Sequence, residues 1–332
     1  MKVFKFGGAS VNSADAVRNM AQIVQKHIES DPLVVVVSAM GKTTNLLEKL
    51  VPGSSEFGVQ SSELRQQLEN YHLDIVNGLI PCDVELQNKV RGLLDGLDSV
   101  IASLTPDAEQ YNYNYDQVVS FGELLSTTII AHYLNHHGIK TLWADARELV
   151  ITDDHYREGR VDWEATRRRV ESGEWRVESG EWRAESGEHK VILTQGFIAG
   201  TNTSPRTTTT LGREGSDYSA AILAYCLGAE SVTIWKDVPG FLNADPKFFP
   251  DTVKISQIPY NEAIELAYYG ASVIHPKTVK PLQNKAIPLY IRSFITPESE
   301  GSVIGDYQTI KPETPLYIFR NNQILLSIFP RD

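Results

Sequence analysis

The sequence KVFKFGG at residues 2–8 and the run LVVVV at residues 33–37 decide the fold. Within the first of these, VFKF at residues 3–6 predicts a short strand, and LVVVV is a continuous branched run, typical of a strand that is buried on both faces of a parallel sheet. Between them apolar residues recur with the 3.6-residue period of a helix, and Ser13 is suited to cap its first turn. These elements predict a right-handed βαβ unit.

The rest of the chain continues this alternation, apart from a stretch at residues 53–116 that lacks strand-like runs and predicts a helical insertion. Helices are expected at 124–134, 216–227 and 262–268, and strands at 141–143, 150–151, 191–193, 232–235 and 288–292. We therefore predict an α/β fold: a three-layer α/β/α sandwich with a mostly parallel central sheet and a helical insertion in its N-terminal half.

Two segments break the pattern. Residues 170–190 repeat a heptapeptide as VESGEWR, VESGEWR and AESGEHK. A glycine recurs in each unit and costs about 1 kcal/mol in a helix, so the repeat favours an exposed charged extension, with a partner-binding arm as the alternative. Residues 316–319 and 324–328 predict a hairpin that opens a second domain.

Composition excludes several classes of protein. The net charge of −11 argues against a nucleic-acid partner, which requires a basic face. The longest apolar stretch, at 33–40, is much shorter than the roughly 20 residues of a membrane span. Cys82 and Cys226 do not make a disulfide framework. With no apolar leader at the N-terminus, the sequence predicts a cytoplasmic protein.

Two apparent motifs carry no chemistry. Gly41-Lys42-Thr43 resembles the end of a P-loop, but Val36 stands where that motif needs glycine. His132 and His136 have the spacing of a metal pair, yet their helix is otherwise apolar, so we interpret them as packing or surface residues.

Three other places predict a site for anions. Lys5 precedes Gly7, Gly8 and Ser10, whose amides suit a phosphate nest, although a plain tight turn explains the glycines equally well. Residues 207–217 place four threonines and Arg213 before a helix that begins near Ser216. These side chains are suited to bind a carboxylate or phosphate. The structural alternative is a simple capped helix after a loop, but such a helix would not need Arg213 and four hydroxyls.

The third place is the end of the strand at 232–235, where Lys236 and Asp237 follow. Ligands of open α/β sheets bind at the carboxyl ends of strands. A Pro-Gly turn at 239–240 is the structural alternative.

Together these segments resemble the aspartate kinases of the amino acid kinase family, from residue 2 to about 304. The resemblance rests on KFGGAS (5–10), VVVVSAMGKTTNLL (34–47), SFGELLST (120–127), TTTLGREGSDYSAA (208–221), IWKDVPGFLNADPK (234–247) and ELAYYGASVIHP (265–276). It implies ATP- and Mg²⁺-dependent phosphorylation of the β-carboxylate of L-aspartate, the first step toward lysine, threonine and methionine.

The resemblance also implies roles for individual residues. Lys5 and Asp217 are catalytic, Lys5 contacting the transferred phosphoryl group and Asp217 orienting that lysine. Aspartate binds at Thr44, Glu123, Arg213 and Ser216. Nucleotide binds at Lys5, Gly7, Gly8, Ser10, Lys236, Asp237, Leu242, Lys247 and Ser272. No residue is assigned as a protein ligand of a metal.

The sequence departs from the family's pattern in four ways, three of them at single residues and the fourth in the C-terminal region described below. Lys236 stands where threonine or serine is usual, and Ser272 where many members carry a nucleotide-contacting lysine, so we interpret the two as one relocated cation. Glu214 replaces a usual glycine, which affects the backbone path beside Arg213.

The resemblance sets the domain organisation. Residues 1–306 form the catalytic domain, with an N-lobe of about 1–190 that binds the amino acid and a C-lobe of about 191–306 that binds nucleotide. Residues 313–332 form a stub of the family's ACT regulatory domain, so we expect no feedback control through that domain. Members of the family are usually dimers, and the stub leaves a strand edge exposed for pairing. We therefore predict a homodimer.

Two alternatives remain open: a kinase of another small acid, such as N-acetylglutamate, and a catalytically silent effector-binding protein on the same fold. Glu123 argues against an acetylated amine, which offers no ammonium to pair. Retention of Lys5, Arg213 and Asp217 argues against a silent relative.

Overall fold

The computed structural model of the chain describes residues 1–28, 32–58, 61–172, 190–270 and 273–319. Its strands are β1 (Lys2–Phe6), β2 (Leu33–Val37), β3 (Thr141–Ala144), β4 (Ile151–Thr152), β5 (Val191–Gln195), β6 (Ile198–Thr201), β7 (Thr208–Thr210), β8 (Ser231–Lys236), β9 (Phe241–Leu242), β10 (Lys254–Ile255), β11 (Gln257–Pro259), β12 (Leu289–Ser293) and β13 (Ser302–Gly305).

Its helices are α1 (Ala14–His27), α2 (Thr43–Glu48), α3 (Ser61–Leu79), α4 (Val84–Ser103), α5 (Tyr111–Val119), α6 (Phe121–His136), α7 (Ala146–Leu149), α8 (Trp163–Ser172), α9 (Gly215–Leu227), α10 (Tyr260–Tyr269) and α11 (Pro276–Asn284), and a 3-10 turn, Gly8–Val11, follows β1. In the described residues none of these helices has the length and hydrophobicity needed to cross a membrane.

The central sheet of the described chain has the strand order β11-β13-β12-β8-β1-β2-β5-β3. Neighbouring strands are parallel except β12 and β13. The predicted βαβ unit is confirmed: β1 pairs with β2, Lys5 lies opposite Val36, and the Ser13 hydroxyl accepts a hydrogen bond from the Ala16 amide at the start of α1. The sheet is mostly parallel, as predicted.

Alternate side chains of β1 and β2 enter two separate cores, which produces the three layers. Phe4 and Val35 pack in the core beneath α1, α3, α4 and α6. Val3 and Val34 pack in the core beneath α8, α9, α10 and α11. The predicted helical insertion is confirmed as α3, α4 and α5, which cover the first core.

The polar stretch before α9, where the sequence pattern predicts no strand, contains β6 and β7. These strands pair antiparallel and form a small sheet with β4. The three threonines of β7 are buried, and the hydroxyls of two are bonded: Thr209 to Thr152 at 2.6 Å and Thr210 to Asp116 at 2.7 Å. Buried polar partners thus make a strand from a sequence that reads as a loop.

The start of the predicted C-terminal hairpin is also wrong within the described residues, since Leu316 and Phe319 belong to no strand. Their segment is instead held by Asn243, whose carbonyl accepts the Tyr317 amide at 2.7 Å and whose side chain donates to the Pro315 carbonyl at 3.2 Å. The remainder of that hairpin, at 320–332, and residues 173–189 of the heptapeptide repeat lie outside the described residues.

Candidate active site

The parallel strands β1, β2, β5 and β8 all end at one edge of the sheet, where ligands of open α/β folds bind. A cleft of about 980 Å³ opens at this edge. It is lined by Lys5, Gly8, Ser38, Ala39, Gly41, Thr44, Asn45, Asn112, Tyr115, Glu123, His155, Tyr156, Arg157, Glu158, Phe197, Thr210, Gly212, Arg213, Glu214, Gly215 and Ser216. All four predicted aspartate-binding residues are among them.

A buried carboxylate holds two lysines beside this cleft. The ammonium of Lys5 at the end of β1 lies 2.7 Å from Oδ1 of Asp217 in the first turn of α9. The ammonium of Lys236, at the end of the adjacent strand β8, lies 3.2 Å from the other oxygen of Asp217. The sequence predictions for these three residues therefore converge on one cluster.

The charge state of Asp217 follows from this cluster. Complete burial alone would raise the pKa of the Asp217 carboxyl, but the positive charges of Lys5 and Lys236 and their hydrogen bonds outweigh it, so the pKa lies below its ordinary value. Two ammonium groups against one carboxylate leave a net charge of +1. Glu214 approaches Lys236 less closely, at 4.0 Å, and is partly exposed.

The Gly7-Gly8 turn brings β1 against the loop after β2. A Cβ atom on Gly8 would lie 2.8 Å from the Ala39 carbonyl and 2.9 Å from the Gly41 carbonyl, so the close approach requires glycine. Ser10 donates both its amide (3.0 Å) and its hydroxyl (2.6 Å) to the Gly7 carbonyl. Gly8 thus lines the cleft, whereas Ser10 orders the turn.

Glu123 is a fully buried acid at the cleft, in the first turn of α6. Its Oε1 accepts the Ala39 amide at 3.2 Å, while its Oε2 has no hydrogen-bond partner among the described residues. Burial raises the pKa of Glu123 to about 8, against the opposing effects of the Ala39 amide and the Lys5 charge. A buried carboxyl with one free oxygen is suited to a cationic group of a ligand.

The N-terminus of α9 is brought to the cleft by two glycines. A Cβ on Gly196 would lie 2.6 Å from the Cβ of Ser216, and one on Gly215 would lie 2.7 Å from the Phe197 ring. Arg213 precedes this helix and is exposed at the cleft. Glu214 holds φ at 54°, in the left-handed region that favours glycine, so this non-glycine residue adopts a backbone conformation that the family's usual glycine would adopt without strain.

Three predicted nucleotide residues, Asp237, Leu242 and Lys247, follow β8 and do not line the cleft. Leu242 lies in β9, and the Lys247 amide donates to the side chain of Asp245 at 2.9 Å. Gly7 lies beside the cleft cation, since a Cβ there would be 3.4 Å from the Lys5 ammonium. Ser272 lies outside the described residues.

Two further residues of the cleft region, Asp116 and Arg157, were not predicted from the sequence. Asp116 is buried and accepts hydrogen bonds from the Arg157 amide (2.8 Å), the Thr210 amide (3.0 Å) and the Thr210 hydroxyl (2.7 Å). Burial raises its pKa to about 6 against the effect of these bonds. The one signal that the sequence gives for Asp116 is its position seven residues before Glu123. Arg157 has none.

Of the two histidines of α6, His132 lies 2.7 Å from Asp83, and Asp83 also caps α4 through the Leu86 amide at 2.8 Å. Within the described ranges, no group of three or more His, Cys, Asp or Glu side chains is arranged to hold a metal ion.

Comparisons with known proteins agree with this geometry. The sequence profile of the Amino acid kinase family matches residues 1–293. "Aspartokinase 2, chloroplastic" of Arabidopsis thaliana is 34% identical over 309 residues, covering 91% of this chain and 54% of the relative. "Lysine-sensitive aspartokinase 3" of Escherichia coli K12 is 33% identical over 326 residues, covering 98% of this chain and 69% of the relative.

A solved structure has the same architecture. The crystal structure of E. coli aspartokinase III in complex with aspartate and ADP superposes with a TM-score of 0.80 at 31% identity, covering 93% of this chain and 65% of the other. The chain spans about half the length of the chloroplast aspartokinases that it matches, 54% and 51%.

Proposed function

The chain belongs to the amino acid kinase family, and from this premise we propose that it transfers the γ-phosphoryl group of ATP to the β-carboxylate of L-aspartate. Its relatives are named aspartokinases, and a similar structure contains aspartate and ADP. The observation that carries the proposal is the Lys5–Asp217 pair beside the cleft that Glu123 and Arg213 line.

The reaction requires no general base. The β-carboxylate of aspartate is ionised at pH 7, so one of its oxygens attacks the γ-phosphorus directly while the bond to the bridging oxygen of ADP breaks. The barrier comes from bringing two anions together. Catalysis is therefore positioning and charge neutralisation, and Lys5, held by Asp217, supplies a positive charge where negative charge accumulates.

Three residues match the charges of the amino acid. The free oxygen of Glu123 is suited to the substrate ammonium, and the exposed fork of Arg213 is suited to the α-carboxylate. Thr44 lines the same cleft and adds a hydroxyl. With the α-carboxylate held, the β-carboxylate is directed to the phosphoryl group. Glu123 favours a free amine over the acetylated amine of N-acetylglutamate.

Nucleotide is proposed to bind beside Asp217, where Lys236 adds a second cation. The described residues provide no acidic cluster for a metal, so Mg²⁺ is proposed to arrive on the ATP phosphates, as this cation commonly does. When bound there it neutralises phosphate charge. Asp237, Leu242, Lys247 and Ser272 remain predicted nucleotide contacts.

The finer assignments are proposals too. The 1–190 lobe is proposed to bind the amino acid and the 191–306 lobe the nucleotide, although the cleft draws Arg213 and Ser216 from the second lobe. The product, 4-phospho-L-aspartate, is proposed to feed lysine, threonine and methionine synthesis. The homodimer and the cytoplasmic location remain predictions.

One assay tests the proposed activity. An acyl phosphate reacts with hydroxylamine to give a hydroxamate and inorganic phosphate, and the hydroxamate forms a coloured complex with ferric ion. The purified chain with ATP, Mg²⁺ and L-aspartate should therefore form hydroxamate in proportion to the ADP released. N-acetylglutamate is the control and should give none. Hydroxamate from N-acetylglutamate alone would support the other acid kinase, and none from either acid would support a silent binding protein.

A further inference from the structure

Arg157 occupies an unusual place in the cleft. It lies between β4 and α8, is half-buried and lines the same cavity as Glu123 and Arg213. Its φ is 69°, in the left-handed region that a non-glycine residue adopts only at a cost of about 1 kcal/mol or more. Such strain persists where surrounding contacts enforce it, and residues in this state cluster at binding sites.

Asp116 enforces the conformation of Arg157. Its Oδ2 accepts the Arg157 amide at 2.8 Å and the Thr210 amide at 3.0 Å, and its Oδ1 accepts the Thr210 hydroxyl at 2.7 Å. The carboxylate is buried, so it ties the loop that carries Arg157 to β7 with little freedom. It bonds the backbone of Arg157 and leaves the guanidinium to other partners.

The guanidinium is oriented by an aromatic side chain. Its carbon Cζ lies 4.3 Å from the centre of the Tyr115 ring and 5.7 Å from that of Tyr111. Stacking on a ring leaves the N–H groups at the guanidinium edge free to donate. In the described part of the chain Arg157 forms no ion pair, although Glu158 lines the same cleft.

The loop that carries Arg157 also touches the segment that carries Arg213. A Cβ on Gly212 would lie 3.2 Å from the Arg157 carbonyl and 3.2 Å from Cγ of Glu158. Gly212 has a φ of 74° and directly precedes Arg213. Two guanidinium groups therefore enter one cleft from segments in van der Waals contact.

We infer that Arg157 is a specificity-determining residue. Together with Arg213 it binds the α-carboxylate of the substrate aspartate, which is the carboxylate that is not phosphorylated. The inference rests on the proposed function, because it names a residue that recognises the substrate of that reaction. Aspartate presents two carboxylates and one ammonium. Lys5 and Glu123 match the reacting carboxylate and the ammonium, and the α-carboxylate has enough lone pairs for donors from two arginines.

The test compares Arg157→Gly with Arg157→Lys in the full chain. Glycine adopts φ of 69° without strain, so Arg157→Gly removes the guanidinium while favouring the native backbone. We expect it to raise KM for L-aspartate about 10- to 100-fold, the effect of losing a hydrogen bond between charged groups. KM for ATP and kcat should change less than about threefold, and Arg157→Lys should recover part of the affinity.

A substrate analogue identifies which group Arg157 binds. The α-amide of L-aspartate keeps the β-carboxylate and the ammonium but lacks the α-carboxylate charge. Wild type should prefer aspartate to this amide, and Arg157→Gly should lose most of that preference. Combined with Arg213→Ala, the two losses in affinity should be non-additive because both residues bind one group. An equal effect on acid and amide, or an unchanged KM for aspartate, would overturn the inference.

Two control variants separate this effect from loss of charge or of backbone strain. Arg160→Ala removes a positive charge from an exposed residue of the same loop, and Ala286→Gly relaxes another residue with positive φ, at 53°, away from the cleft. Neither should change KM for aspartate by more than twofold. An effect of Arg160→Ala equal to that of Arg157→Gly would mean general electrostatic attraction and would overturn the inference.

Calorimetric titration with L-aspartate distinguishes failure of this inference from failure of the proposed function, because binding needs no phosphoryl transfer. Aspartate binding that weakens in Arg157→Gly supports the inference even if hydroxamate is never formed. If hydroxamate forms and aspartate binding is unchanged in Arg157→Gly, the inference is refuted but the proposed function is not. If the wild-type chain binds no aspartate, both the inference and the proposed function are refuted.

Discussion

The ammonium of Lys5 lies 2.7 Å from Oδ1 of Asp217, a carboxylate that has no solvent exposure. The other oxygen of Asp217 lies 3.2 Å from the ammonium of Lys236. One acid on α9 therefore fixes cations from two adjacent strands of the sheet. Because the cluster keeps a net positive charge at the edge of the cleft, it attracts anions without a further conformational change.

Asp217→Asn should lower kcat by roughly 100-fold, because Lys5 loses the carboxylate that positions it. It should also cost about 3 kcal/mol of stability, since two lysines at a buried position lose their counter-charge. Stopped-time hydroxamate assays and urea unfolding measure the two effects. The lowered pKa of Asp217 means that its contribution to stability is present above about pH 3.8 and is lost as the pH falls further.

If Asp217→Asn left kcat unchanged, Lys5 would have to be positioned by other groups. Glu214→Gln is the matched control, because Glu214 lies 4.0 Å from Lys236 and is partly exposed. It removes a carboxylate charge near Lys236, outside the Lys5–Asp217–Lys236 cluster, and leaves Lys5 in place. We expect a smaller loss of rate than in Asp217→Asn.

Arg213→Ala should raise KM for aspartate far more than KM for ATP, by about 10- to 100-fold. The arginine lines the cleft beside Thr44 and Glu123, where the amino acid is proposed to bind. Initial rates with each substrate varied in turn measure the two constants. If both rose equally, the assignment of Arg213 to the α-carboxylate would be refuted.

Glu123 should make aspartate binding depend on pH. Its pKa of about 8 keeps the carboxyl mostly protonated at pH 7, and the substrate ammonium pairs with the ionised form. The ratio kcat/KM for aspartate should therefore rise between pH 6.5 and about 8. In Glu123→Gln the ratio should be lower throughout and should lose this rise. A rise that persists in the variant would belong to another group.

The same carboxyl should also affect stability. Its pKa is raised in the folded chain from an ordinary value of 4.5, so the folded state holds its proton more tightly. Stability from this source is full below about pH 4.5 and is lost as the pH rises toward 8. Glu123→Gln should consequently be more stable than wild type at pH 8 to 9, by on the order of a few kcal/mol. Chemical unfolding at pH 6 and pH 9 tests the sign.

Lys236→Thr should weaken ATP binding, because it removes the second cation that Asp217 holds. If Lys236 replaces the lysine that the family usually carries at position 272, then Ser272→Lys in the same chain should restore the affinity. Nucleotide titration of the two variants measures this. Lys280→Met, which removes an exposed charge from α11, is the control and should bind ATP normally. No rescue in the double variant would sink the idea of one relocated cation.

Local patterns predicted the layers but not the inner wall of the cleft. The run at 33–37 and the helical period after Ser13 are local, so β1, α1 and β2 were readable from sequence. The buried threonine strand at 208–210 depends on Asp116, more than 90 residues away in sequence, and such a partner leaves no local signal.

The residues proposed to be functional differ in the same way in how far the sequence predicts them. Lys5 and Arg213 belong to motifs in which neighbouring glycines indicate a site. Arg157 has no such motif, because its place in the cleft follows from a backbone bond to Asp116 and from stacking on Tyr115. These contacts exist only once α5 and the loop after β4 have packed together.

Two glycine substitutions should have opposite effects on stability. A Cβ on Gly8 would meet the Ala39 and Gly41 carbonyls at 2.8 and 2.9 Å, both of them backbone atoms that move only with the loop. Gly8→Ala should therefore cost about 1–3 kcal/mol and, because Gly8 lines the cleft, reduce kcat/KM as well. Gly92, exposed in the middle of α4, has no atom within 4 Å of its Cβ position. Gly92→Ala should stabilise the chain by about 0.5–1 kcal/mol, as alanine favours helices, and leave activity unchanged. Urea unfolding of both variants, with hydroxamate formation measured in parallel, tests this pair of predictions. If Gly8→Ala were as stable as Gly92→Ala, the turn after β1 would not need the close backbone approach that the structure shows.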